Sequence, residues 1–244
     1  MYLRKVTVLK KDMPNHRSYP FSLPLVQKLE SLELRSSVTF FVGENGSGKS
    51  TLLEAIAYQC GFHTAGGGRN NAYFVESSEA ALGNYIRLSW LPKVTSGFFL
   101  RAESFFEFAT HIDQIGRYDA YGGRSLHSQS HGESFLNLFK HRFQEKGIYL
   151  LDEPEAALSP SRQLSLLRII KDLSGYSQFI IATHSPILMG YPDAEILSFD
   201  NDTISPMAYE DTDHYQVTRR FLENRKSMLR YLFDDREDDE QEEG

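Results

Sequence analysis

Gly43-Glu44-Asn45-Gly46-Ser47-Gly48-Lys49-Ser50-Thr51 is a glycine-rich run closed by a lysine and two hydroxyl residues, a pattern suited to holding phosphate. The glycines let backbone N–H groups of Asn45 to Lys49 turn inward, and a helix that starts at the lysine adds the partial positive charge of its amino terminus. Lys49 is expected to reach the β- and γ-phosphates of a nucleotide, Ser50 to ligate magnesium, and Thr51 to complete the cradle. About one hundred residues later, Ile148-Tyr149-Leu150-Leu151 runs into Asp152-Glu153-Pro154. Two carboxylates at the carboxyl end of a buried strand stand where α/β sheets bind ligands. There Asp152 would hold the magnesium and Glu153 would act as general base on the attacking water.

These residues need an α/β scaffold. Tyr2 to Lys10 alternates as a strand, and Pro14, Pro20 and Pro24 mark the loop after it. Further strands are expected at Leu29 to Leu34, Val38 to Val42, Tyr85 to Trp90, Gly97 to Leu100, Ile148 to Leu151, Gln178 to Ala182 and Glu195 to Phe199. Helices are expected at Lys49 to Cys60, Glu103 to Ile115, His131 to about Glu145, from Pro160 onward, and from about Asp211 to Phe233. Ser159 reads as the cap of the Pro160 helix, with Leu164, Leu167, Ile170 and Leu173 as its apolar stripe. Tyr215, Leu222, Leu229 and Phe233 form the stripe of the last helix. Strands alternating with helices imply a sheet flanked by helices. Residues 1–233 read as one domain, in which the stretch from about 61 to 145, with glycine breaks at Gly66-Gly67-Gly68 and Gly122-Gly123, is an inserted helical lobe.

Composition narrows the setting. The net charge of −7 resides in residues 234–243, where eight acidic groups and one arginine form a solvated tail, so the body is close to neutral and carries no general basic footprint. The lone Cys60 excludes an internal disulfide and suits a reducing cytoplasm, as a small buried residue of the helix after the glycine loop. Met1 to Lys11 is charged and alternating rather than a signal sequence, and no apolar run reaches about 18 residues, the length of a membrane span. A membrane component would therefore be another chain.

In this order the motifs resemble the ABC ATPase superfamily, and the resemblance covers most of the chain. It implies a P-loop NTPase fold of the ABC ATPase head type with a mixed sheet, and ATP with Mg2+ as substrate and cofactor. Ala156-Ala157-Leu158-Ser159 sits where that family has its D-loop, which crosses the dimer interface. Ile180-Ile181-Ala182-Thr183-His184-Ser185 looks like the switch strand, which makes His184, 32 residues after Asp152, the γ-phosphate sensor. Gln129-Ser130-His131-Gly132-Glu133-Ser134 stands where the family has Leu-Ser-Gly-Gly-Gln/Glu, and implies that Ser130, Gly132 and Glu133 close over a nucleotide held by a second subunit. Ser130-x-x-Glu133 before Phe135, Leu138 and Phe139 is equally an ordinary capping box, and a capped amino terminus is also an anion site.

The pattern departs from the family at three points. His131 replaces the first signature glycine, and Ser130 lies only 22 residues before Asp152. The glutamine-containing loop has no clear match. By position, the turn after Phe98-Phe99-Leu100-Arg101 offers Glu103 as a magnesium or water contact, with Gln114 as the alternative. Tyr19 or Phe21 could stack on adenine, although packing aromatics are commoner.

These departures make the chain more similar to stand-alone ATPases on the RecF and SMC side than to importer subunits. The 81 residues from Lys49 to Ser130 leave no room for a coiled coil. The stretch containing Arg117, Arg124, His127, His131, Lys140, His141 and Arg142 is better explained as a solvated helix face than as a nucleic-acid groove. The expected function is a soluble ATPase that dimerises head to tail and moves an unidentified protein partner. The alternatives are the ATP-binding subunit of a transporter, with a membrane partner, and an ATP-gated interaction module in DNA repair or defence.

Overall fold

The computed structural model describes residues 1–14, 17–63, 81–103, 105, 109–110, 131–142 and 146–234. The tail from 235 onward, both glycine breaks, Gln114, Ser130, Arg117, Arg124, His127 and the side chains of His131 and Arg142 lie outside the described residues. Two compact units are present, Met1–Met207 and Ala208–Gly244.

The first unit holds two sheets. β1 (Leu3–Val8), β2 (Ser31–Glu33) and β4 (Ile86–Trp90) form an antiparallel sheet in the order β2-β1-β4. β3 (Val38–Val42), β5 (Gly97–Arg101), β6 (Ile148–Asp152), β7 (Gln178–Ala182), β8 (Glu195–Ser198) and β9 (Ser205–Pro206) form the second, in the order β5-β6-β7-β3-β8-β9. All its neighbours are parallel except β8 and β9. Val38–Val42, Ile148–Asp152 and Gln178–Ala182 are buried at every residue, as central parallel strands covered on both faces must be.

The helices are α1 (Pro24–Lys28), α2 (Lys49–Cys60), α3 (His131–Arg142), α4 (Pro160–Leu173) and α5 (Pro186–Met189). α2 touches β4 of one sheet and β6 and β7 of the other, so it lies between them. That position explains its apolar sequence: Leu52, Leu53, Ala55, Ile56, Ala57 and Cys60 are all buried, and exposure is confined to Tyr58 and Gln59 near its end. Phe41, Phe99, Ile148, Leu150, Ile180 and Ala182 join α2 in one core cluster. Phe40, Phe98, Tyr149, Leu151, Phe179 and Ile181, of opposite parity on the same strands, are buried as well. Gln178 ties the sheets together: its Oε1 accepts from Tyr2 and Leu3 N–H at 2.8 Å, and its Nε2 donates to Leu3 O at 3.0 Å.

Two local expectations are corrected. Ser159 makes no side-chain cap on α4; its carbonyl accepts from Arg162 and Gln163 N–H, and Pro160 at the first position supplies the helical φ. The buried stripe of α4 is Gln163, Leu166, Ile170 and Leu173, whereas Leu164 is exposed. A glutamine occupies the inner face because both ends of its amide are bonded, Nε2 to Leu158 O at 3.1 Å and Oε1 to the Ser185 hydroxyl at 2.5 Å. Of the helix expected from 103 to 115, only residues 105, 109 and 110 are described as helical, and Glu103 lies in the turn before them.

The second unit contains α6 (Asp213–Asp234), whose helical dihedrals break at Asn224 (φ −128°, ψ 32°). Leu222 and Phe233, expected in its apolar stripe, are exposed. Tyr209 and Tyr215 pack ring to ring at 4.6 Å. Among the described residues, no helix is long and apolar enough to cross a membrane.

Candidate functional site

The glycine run links β3 to α2, and its backbone is the first element of the site. Gly46 (φ 80°) and Gly48 (φ 96°) are left-handed, a conformation that penalises a side chain. The two differ in surroundings. A Cβ on Gly48 would come within 2.9 Å of Leu25, whereas one on Gly46 would meet nothing within 4 Å. The loop is therefore backed by α1 at Gly48 and open at Gly46. Asn45 is exposed beside it, and the Ser47 Oγ is buried with no hydrogen-bond partner among the described residues.

Lys49 is buried, and its Nζ donates to the carbonyls of Gly43 at 2.7 Å and Glu44 at 2.8 Å, so the ammonium lies inside the loop. Burial lowers its pKa; the carboxylates of Glu153, Asp152, Asp200 and Glu44 oppose that shift. Asp200, which follows β8, braces the loop from below, its Oδ1 accepting the Glu44 N–H at 3.2 Å and its Oδ2 the Ser198 hydroxyl at 2.6 Å. Thr51 is buried and bonds the Tyr19 hydroxyl at 2.9 Å.

Asp152 ends β6 against this cradle. Its Oδ1 accepts the Ser50 hydroxyl at 2.9 Å and its Oδ2 accepts Arg101 Nε at 2.9 Å. Arg101 also pairs through its Nη2 with Glu54 of α2, so one guanidinium serves two carboxylates, both almost wholly buried. Glu153 follows with φ 48°, left-handed for a residue with a side chain, a backbone cost that clusters at functional positions. Its N–H donates to Ala182 O at 2.9 Å, and its Oε1 lies 3.7 Å from His184 Nε2.

Ser50, Asp152, Glu153 and Glu103 line one cavity of about 660 Å3, together with Tyr19, Glu54, Arg101 and the turn at Ala156 and Ala157. Tyr19 stands exposed at this cavity, while Phe21 is a core residue packed edge-on against Tyr85 at 5.3 Å. Burial removes Phe21 as an adenine-stacking candidate.

Gly132 packs beside the turn that borders this cavity. A Cβ on Gly132 would come within 2.3 Å of Arg162 and 3.1 Å of Ala157 O, so the start of α3 packs on the turn after β6 and on α4. Glu133 pairs with Arg162 at 3.3 Å. No described residue of α3 lines the cavity of its own chain.

The residues at this cavity fit a nucleotide with magnesium. The Ser47 hydroxyl is unsatisfied, the loop is open at Gly46, and the Ser50–Asp152 pair offers hard oxygens. Among the described residues, no cluster of three or more His, Cys, Asp or Glu groups could hold a metal ion.

Sequence reasoning passed over Arg101, Glu54, Glu155, Gln163 and Asp200. Arg101 did leave a signal, as the only charge on the apolar strand Gly97–Arg101. Glu155 lies close enough to Asp152-Glu153 to be absorbed into that motif.

Comparison with known families matches residues 38–120 and 135–190, more than half of the chain, to the family described as "AAA domain, putative AbiEii toxin, Type IV TA system". No curated protein matches the chain. Among solved structures, a nucleotide-free ATP-binding cassette from an ABC transporter is 16% identical over 95% of this chain and 99% of that one, with a TM-score of 0.50. An SMC head domain from Thermotoga maritima is 19% identical over 85% of this chain and 100% of that one, with a TM-score of 0.48. The cbiO1 structure from Clostridium perfringens, part of the ABC transporter complex cbiONQ, is 16% identical over 83% of this chain and 90% of that one, with a TM-score of 0.46.

Proposed function

The chain belongs to this AAA domain family, with the fold of an ABC-type P-loop ATPase head, and on that premise we propose that it binds and hydrolyses ATP with Mg2+. The observation that carries the reading is the Ser50 Oγ to Asp152 Oδ1 bond of 2.9 Å beside the buried Lys49, with Glu153 next in the chain. Asn45 to Thr51 would cradle the phosphates through backbone N–H groups, the Ser47 hydroxyl and the Lys49 ammonium. Ser50 and Asp152 would hold magnesium, with Glu103 at the same cavity as a further oxygen donor. The metal would supply charge neutralisation at the phosphate oxygens. Glu153 would take a proton from the attacking water, and His184, 3.7 Å from it, would contact the γ-phosphate oxygens.

The working unit would be a head-to-tail dimer. Gly132 and Glu133 do not line the cavity of their own chain, and in this reading Ser130, Gly132 and Glu133 close the site of a second copy. The ATPase domain would span residues 1–233, with about 61–145 as its inserted lobe and 234–244 as a tail, in the cytoplasm. The opening of the dimer after hydrolysis would move a protein partner. Purified chain should release phosphate from ATP only when Mg2+ is present; release without magnesium, or none at any ATP concentration, would contradict this reading.

A second reading takes the family description at its word: an ATP-gated module acting in defence as part of a toxin system, with little turnover. Expression that arrests growth, with the arrest abolished by Lys49→Ala, would favour it. Co-purification with a membrane protein would instead favour a transporter subunit, and a DNA-stimulated rate would favour a role in repair.

A further inference from the structure

The turn after β6 is bonded to the end of β7 and the loop after it directly at two places, and at a third through Gln163 of α4. The Glu153 N–H donates to Ala182 O at 2.9 Å. Glu155 Oε1 then accepts the His184 N–H at 2.6 Å. Finally the Ser185 hydroxyl donates to Gln163 Oε1 at 2.5 Å, while Gln163 Nε2 holds Leu158 O at 3.1 Å. Thr183, Ser185 and Gln163 are buried, so these bonds form away from competing water.

Glu155 is the unusual member of the set. Its Oε2 is buried without a hydrogen-bond partner among the described residues, and burial raises its pKa. A half-satisfied buried carboxylate costs stability. It is not among the residues that line the cavity, although its neighbours Glu153 and Ala156 are. What its Oε1 does hold is the backbone of His184, the residue whose Nε2 stands 3.7 Å from Glu153. The same turn receives α3, since Gly132 packs against Ala157 O.

We propose that Glu155 is a positioning residue that locks the His184 backbone to the turn at 154–157, so that the imidazole stays beside Glu153 and moves with the turn on which α3 rests. The proposal depends on the catalytic roles given above to His184 and Glu153. A carbonyl oxygen at this position suffices for the lock, whereas an aliphatic side chain of the same length does not.

The test compares wild type with Glu155→Gln, Glu155→Met and Glu155→Ala by two readouts: NMR hydrogen exchange of the His184 amide, and kcat and KM for Mg-ATP. Glu155→Gln should stay within about twofold of wild type in both, because its carbonyl still accepts the His184 N–H. Met and Ala should expose the amide, giving exchange at least ~10-fold faster and a kcat loss of about 10-fold with KM changed less than about threefold. Adding His184→Ala to Glu155→Met should then cost little more, since both remove one function. Unchanged amide exchange in Glu155→Met, or losses that multiply in the double variant, would overturn the lock. Absence of hydrolysis in wild type would strike the ATPase reading instead, and the exchange result would still decide whether Glu155 holds His184.

Discussion

Arg101 and Asp152 stand opposite one another on the parallel strands β5 and β6, and the Nε of the first donates to Oδ2 of the second at 2.9 Å. With Glu54 on the same guanidinium, this cation holds together a sheet edge, the central helix and the proposed magnesium carboxylate.

Arg101→Ala leaves two carboxylates, Glu54 and Asp152, buried without their shared cation. Breaking a buried pair by removing one partner costs about 3–5 kcal/mol. Urea unfolding should therefore show a loss of that size. Arg101→Lys should recover only part of it, because a point charge cannot reproduce the two-sided fork. A midpoint within error of wild type for Arg101→Ala would show that the network contributes no stability.

Lys49→Ala should abolish measurable nucleotide binding, a loss of roughly 100-fold or more, since it removes the ammonium that lies inside the loop. Fold is expected to survive, because the lysine holds only its own loop carbonyls. A fluorescent ATP analogue titrated in Mg2+ gives the affinity, and circular dichroism the fold. Wild-type affinity would remove the cradle from the account.

Glu155 gives a pH signature. Burial raises its folded-state pKa above the ordinary 4.5, against the hydrogen bond from the His184 N–H, which pulls the other way. The native state therefore keeps a proton that the unfolded chain releases above about pH 4.5. Stability from this group is complete below that pH and falls as the pH rises through the raised value. Glu155→Gln, which mimics the protonated form, should match wild type in stability at acid pH and exceed it near neutrality. Urea unfolding across that range checks the sign; a variant less stable than wild type at neutral pH would reverse it.

Leu164 and Leu166 test the corrected phase of α4. Leu166→Ala empties a fully buried position and should cost about 2–5 kcal/mol, whereas Leu164→Ala, on the exposed face, should stay within about 0.5 kcal/mol. Equal losses would mean that both leucines are buried.

Legibility in the sequence followed distance along the chain. Gly43 to Thr51 and Ile148 to Glu153 announced themselves because strand, loop and chemistry are contiguous there, and Ser50, Asp152 and Glu153 meet at one cavity. Arg101 and Glu155 did not. Their partners, Asp152 and His184, are 51 and 29 residues away, and only the order β5-β6-β7 makes them neighbours. Gln163 lies outside the expected apolar stripe, and its burial depends on Leu158 O and the Ser185 hydroxyl, neither visible in helical periodicity. Gly132 was legible as a motif residue, but its packing on Arg162 and Ala157 required the fold.

The central claim is that Glu153 activates water while the cradle binds the nucleotide independently of it. Glu153→Gln, with Mg-ATP affinity and steady-state phosphate release measured on the same preparation, tests it most directly. Affinity should stay within about threefold of wild type while turnover falls at least ~100-fold. Turnover equal to wild type would contradict the assignment of Glu153 and the hydrolytic reading built on it.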